Sequence, residues 1–120
     1  MLPQTMWLKK SVEEQLQNLK ANTGITPNVA ARIAFFRSIE SGFVFDNTTD
    51  YKLSGNLKLD KFTWLGKTQQ VTELLLKLRY PEYSDKELQI AWAAHVESGS
   101  SSIKFELEIT DMLKKIVQIK

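Results

Sequence analysis

At 120 residues, 42% apolar and 25% charged, the chain has the size and composition of one globular domain, residues 1–120, long enough for a modest core. Sixteen basic and 14 acidic residues leave a net charge of +2, so an anionic partner would have to be met by the placement of charge rather than by its sum. The absence of cysteine excludes disulfides, thiolate metal sites and a cysteine nucleophile, and with no run near the ~20 apolar residues of a membrane span and no signal-peptide pattern in Met1–Lys10, a cytoplasmic protein with no membrane association is expected.

The first element in chain order is Met6-Trp7-Leu8-Lys9-Lys10, which alternates loosely as a half-buried strand does. Ser11-Val12-Glu13-Glu14 reads as a capping box opening a helix with Val12, Leu16 and Leu19 on one face. Asn22-Thr23-Gly24 stops it, Gly24 being suited to the left-handed residue after a last turn. Thr26 then serves as N-cap and Pro27 as first residue of a second helix, whose apolar face is Val29, Ala30, Ile33, Ala34, Phe36 and Ile39.

Strand, helix, Gly-Ile-Thr-Pro-Asn and helix make the layout of a ribbon-helix-helix unit. Its second helix would present free N–H groups and a positive dipole end at Thr26–Asn28, which suits a phosphate. An ordinary helical hairpin, whose caps only cap, has the same local pattern.

Residues 40–61 are turn-rich and irregular, a length more typical of a functional loop or lid than of a simple connector. A short strand is expected across Leu57–Leu65. Thr68–Leu78 reads as a helix with an inner stripe of Val71, Leu74, Leu75 and Leu78, ended by Tyr80-Pro81. A second capping box, Ser84-Asp85-Lys86-Glu87, opens a helix that places Leu88, Ala91, Trp92, His95 and Val96 on one face, and Ser98-Gly99-Ser100-Ser101-Ser102 is expected to break it. Ile103–Ile109 fits strand or helix, and Thr110–Gln118 reads as helix. The expected fold is mainly α: a ribbon-helix-helix-like N-terminal unit of a short strand plus two helices, followed by further packed helices.

Catalytic patterns are thin. His95 is the single histidine and reads as a satisfied helix-face residue; a triad with Ser98 or Ser100 has only sequence proximity behind it. Glu106 and Glu108 would share a face only on a strand, and a solvated charged face is the plainer reading. Tyr51, Tyr80 and Tyr83 are nucleophiles on paper, but no metal cluster accompanies them. No phosphate-binding glycine loop or HExxH occurs. The residues favour a binding protein over an enzyme. Of the basic residues near the opening unit, Lys9, Lys10 and Arg32 are candidates for phosphate contact; Lys20 and Arg37 read more simply as solvated or snorkelling side chains.

With these residues laid out, the chain resembles the DndE family, the small subunit of bacterial DNA phosphorothioation. The resemblance is carried by Leu8-Lys9-Lys10-Ser11, Leu16-Gln17-Asn18-Leu19-Lys20, Thr23-Gly24-Ile25-Thr26-Pro27-Asn28, and Arg32-Ile33-Ala34 through Ser38-Ile39-Glu40, and less specifically by Thr63-Trp64, His95 and Gly99. Ser98 and Ser100 depart from it, standing where a basic and an aliphatic residue are expected. The resemblance implies a helical homotetramer without a cofactor. It implies a non-catalytic subunit that binds DNA, preferring nicked duplex, and acts with sulfur-transfer and ATPase subunits. On the matching blocks it implies DNA contact at Lys9, Lys10, Lys20, Thr26, Asn28 and Arg32. Two rivals remain at this level: a ribbon-helix-helix regulator whose Trp7 and Lys9 read the major groove, and a structural adaptor for the larger subunits.

Overall fold

A computed structural model describes residues 1–118. In order, these form β1 (Thr5–Met6), α1 (Lys10–Thr23), α2 (Pro27–Ser41), β2 (Leu59–Asp60), α3 (Lys61–Leu65), a 3-10 turn (Gly66–Thr68), α4 (Gln69–Arg79) and α5 (Asp85–Gln118). The architecture is the mainly helical one expected, with a strand-helix-helix unit first and further packed helices after it. No described helix is long and apolar enough to cross a membrane.

α5 is the spine. Its first half buries Leu88, Ala91, Trp92, Ala93, Ala94 and Val96, and α2 makes the main contact with it. α2 can lie close because its inner face is Ala30, Ala31 and Ala34, with Phe35 as the one large buried side chain. Val29 and Ile33, expected on that face, stand on the exposed side. α1 adds Val12 and Leu16; α3 adds Trp64, which packs edge-on against Trp92.

The strand is shorter and earlier than its alternation suggests. Only Thr5–Met6 is extended in a ladder, and it pairs antiparallel with Asp60 and Leu59. The Trp64 indole N–H donates to the Met6 carbonyl at 3.1 Å and locks that ribbon onto the core. Lys9 is the N-cap of α1 and Lys10 its first residue, so neither lies in a strand. No side chain caps α1, and the expected box at Ser11 is replaced by a different use of the acids. Glu13, buried, accepts from the Leu57 amide at 2.8 Å and so holds the 42–58 segment against α1. The Gly55 amide donates to the Leu8 carbonyl at 2.9 Å. Phe45, within the segment, is buried, and its amide donates to Tyr80 Oη at 2.8 Å, a further anchor to the body.

Leu57–Leu65 is a strand only at Leu59–Asp60. The Asp60 carboxylate accepts from the Thr63 amide at 2.6 Å, and this cap turns the chain into α3. That bond also holds the Asp60 carboxyl below the usual range.

The inner face of α4 differs from the expected stripe. Thr72 and Leu76 are buried, Leu75 is half-buried, and Val71, Leu74 and Leu78 are exposed. Three consecutive leucines cover more than half the helix circumference, so periodicity alone cannot choose the side. The Ser84–Glu87 box forms as expected: the Glu87 amide donates to Ser84 Oγ and the Ser84 amide to Glu87 Oε1. The serine run does not break α5, which continues unbroken to Gln118. Ser100 is buried, and its hydroxyl donates to Gln15 Oε1 at 3.1 Å. Beyond Ile103 the helix leaves the body, which is why the molecule measures 55 Å in one direction and 28 and 26 Å in the others.

Candidate nucleic-acid interface

The turn between α1 and α2 forms locally and accurately. Gly24 adopts a left-handed conformation (φ 78°), and its amide closes α1 on the Lys20 carbonyl. Thr23 Oγ1 bonds the Leu19 carbonyl and accepts from the Ile25 amide. Thr26 is extended, exposed and N-terminal to Pro27, but its hydroxyl makes no cap bond. The first turn of α2 therefore has no side-chain cap, and a helix start with uncapped amides carries partial positive charge.

The six candidate residues divide into two groups. Lys10 and Lys20 are exposed on α1, ten residues and so about 15 Å apart along its axis. With Thr26, they face solvent. Lys9 is half-buried: its ammonium pairs with Glu97 at 3.4 Å and sits 5.3 Å above the Tyr51 ring. Asn28 is half-buried and donates to the Thr63 carbonyl at 3.5 Å. Arg32 donates through Nε to the Trp64 carbonyl at 3.0 Å and through Nη2 to the Thr63 carbonyl at 2.8 Å. Those carbonyls are the C-terminal turn of α3, so Arg32 is both a staple and a charge placed at the negative end of a helix. It anchors α3 to α2.

Sequence reading passes over Lys67, which lies in no motif. It is exposed and follows Gly66, where a Cβ would come within 2.7 Å of the Arg32 guanidinium. The only local signal is that glycine before it. The α2 start, the end of α3 and Lys67 are thus brought into one locality by Asn28 and Arg32.

The catalytic alternatives resolve differently. His95 is fully buried between Ser38 Oγ, 2.8 Å from Nδ1, and Tyr80 Oη, 2.7 Å from Nε2. Tyr80 Oη also accepts from the Phe45 amide, so both ring nitrogens of His95 are bonded within a buried network of Ser38, Tyr80 and the Phe45 backbone. Burial lowers the His95 pKa to about 4, with the nearby Arg79 charge adding to the effect. His95 is a satisfied core residue. Ser98 and Ser100 are not its partners. Glu106 and Glu108 lie on a helix, not a strand, and so point to different sides; Glu106 pairs with Arg37 at 2.8 Å. Burial pushes the Tyr51 and Tyr80 hydroxyls up. Among the described residues, no three His, Asp or Glu side chains cluster to hold a metal.

A family model described as "DNA sulphur modification protein DndE" matches residues 5–111. A crystal structure of DndE from Escherichia coli B7A, involved in DNA phosphorothioation modification, is 55% identical. The match covers 86% of this chain and 99% of that one, with a TM-score of 0.81. A second DndE structure, with two glycine-to-lysine substitutions, is 54% identical over 85% of this chain and 98% of that one, also with a TM-score of 0.81. No curated protein matches. With a family match across most of its length and solved relatives above half identity, the chain belongs to the DndE family of DNA sulphur modification proteins.

Proposed function

We propose that this chain is a DNA-binding subunit of the phosphorothioation machinery, one that grips duplex backbone and prefers a nick. The observation that carries the reading is family membership: solved relatives 54% and 55% identical are described as acting in DNA phosphorothioation. Exposed Lys10 and Lys20, with the uncapped start of α2 at Thr26, support a backbone contact. Lys9, Asn28 and Arg32, engaged within the protein, serve mainly to position that surface. A nick lets duplex bend toward a helix end that a straight rod cannot approach. A homotetramer would set several weak patches on one duplex, offsetting the +2 charge per chain. Its partners would be the sulfur-transfer and ATPase subunits, in the cytoplasm, with the sulfur chemistry done by those subunits and no cofactor held here.

The test is binding of the purified protein to intact and singly nicked duplexes of equal length and sequence across a salt series. Tighter binding to the nick at every salt concentration supports the reading; equal, weak binding to both removes it.

A second reading has its own observation. Phe62, Val71, Leu74 and Leu78 stand exposed on α3 and α4, an apolar surface suited to an adaptor that docks the larger subunits. Retained complex assembly without DNA affinity would favour it. The regulator reading loses its main support, since β1 pairs with β2 of its own chain rather than being left for a second copy.

A further inference from the structure

The projecting half of α5 carries an apolar stripe that the body does not cover. Phe105, Ile109, Met112 and Ile116 are 63%, 37%, 55% and 55% exposed. Their spacing of four, three and four residues is that of a coiled-coil seam. The side of the helix turned toward α1 is a different one: Ile103, Leu107, Thr110, Asp111 and Lys114 line the cleft against Asn18 and Asn22, and Glu108 stands on the margin between that cleft and the stripe. By the 3.6-residue period, the stripe lies on the opposite side from that cleft. The family match ends at Asp111, so Met112 and Ile116 belong to a part of this chain beyond it.

We propose that this half-helix pairs with the same segment of a second copy of the chain, antiparallel and about a two-fold axis between Thr110 and Asp111. That register sets Phe105 against Ile116 and Ile109 against Met112 of the other copy, so every member of the stripe meets another. Charge selects the same arrangement. Glu108 and Lys115 are seven residues apart and flank the stripe on one side. Antiparallel pairing brings each opposite the other's counterpart, giving two symmetric ion pairs. A parallel pair would set Glu108 beside Leu113 and gain neither. The present neighbour of Lys115 is Asp111, at 3.7 Å on an exposed helix face, a contact weak enough to exchange. The segment is short for a free coiled coil, but as the continuation of a 34-residue helix it is already formed, so pairing does not have to supply the cost of folding it.

The chain has no cysteine, which makes the test direct. Phe105→Cys and Ile116→Cys chains are purified separately, mixed, and oxidised mildly, with Ser101→Cys, an exposed site off the stripe, as control. The expected result is a mixed 105–116 disulfide well above either chain alone. Two copies of position 105 would lie about 16 Å apart, beyond disulfide reach. Lys115→Glu added to both chains lowers the mixed yield about fivefold, and adding Glu108→Lys restores it. A mixed yield no higher than the Ser101→Cys control overturns the pairing. Efficient linkage of Phe105→Cys to itself overturns the orientation, and failure of the double charge reversal to restore the yield overturns the register.

Discussion

The Cα of Gly99 rests against the backbone of Ala34, so that a Cβ at position 99 would collide with the Ala34 carbonyl oxygen. Both residues sit in the α2–α5 contact, the main one in the fold. The neighbour is backbone and cannot swing aside. Gly99→Ala should therefore force the two helices apart and cost about 3 kcal/mol, at the upper end of ordinary overpacking. A urea titration followed by circular dichroism measures it. A change below half of that would mean the helices yield freely.

Arg32 bonds two carbonyls at the end of α3. Arg32→Ala should lose about 2 kcal/mol of stability, because those carbonyls lose charged donors. It should leave the salt dependence of DNA binding unchanged. A shallower salt slope with undiminished stability would instead make Arg32 a phosphate contact.

Lys10 and Lys20 are the exposed cations of the candidate set. If each neutralises a phosphate, replacing both by Ala should flatten the plot of log affinity against log salt by roughly 2 units, near 0.9 per contact on duplex DNA. Lys9→Ala should cost more in folding than in binding, since its ammonium is held by Glu97 and Tyr51.

The His95 pKa lies at about 4 in the fold, against 6.5 for an unperturbed imidazole. As pH falls, the unfolded chain takes up this proton first, so stability is full above about pH 6.5 and is lost progressively down to about pH 4. The loss amounts to about 3 kcal/mol. Asp60 and Glu87, whose pKa values are lowered by amide and hydroxyl donors, add to the decline only as their own carboxylates protonate at lower pH. Denaturation at a series of pH values shows the slope; in a His95→Gln chain, less stable at neutral pH, the part between pH 6.5 and 4 should vanish.

Leu74 and Leu78 are exposed on α4. Leu74→Lys with Leu78→Lys should change stability by less than about 0.5 kcal/mol each. Under the adaptor reading it should abolish co-purification with the larger subunits; unchanged assembly would leave the α4 face without that role.

What the sequence by itself determined is what one or two turns of chain can decide. Gly24 as a left-handed stop, Thr26-Pro27 as a helix start and the Ser84–Glu87 box rest on groups a few residues apart, so their chemistry acts before any tertiary contact exists. The family, too, was legible, in the Thr-Gly-Ile-Thr-Pro-Asn block and the Arg-Ile-Ala run that follows it. Only the tertiary structure decided what depends on the opposite surface. Ser98–Ser102 remain helical because Gly99 admits the backbone of Ala34 and Ser100 finds Gln15. Leu76 faces inward while Leu74 and Leu78 do not, because three adjacent leucines leave the choice of side to the packing. Asn28 and Arg32 turn to α3 rather than outward, because the carbonyls of Thr63 and Trp64 come within hydrogen-bond reach there, a distance no local pattern encodes.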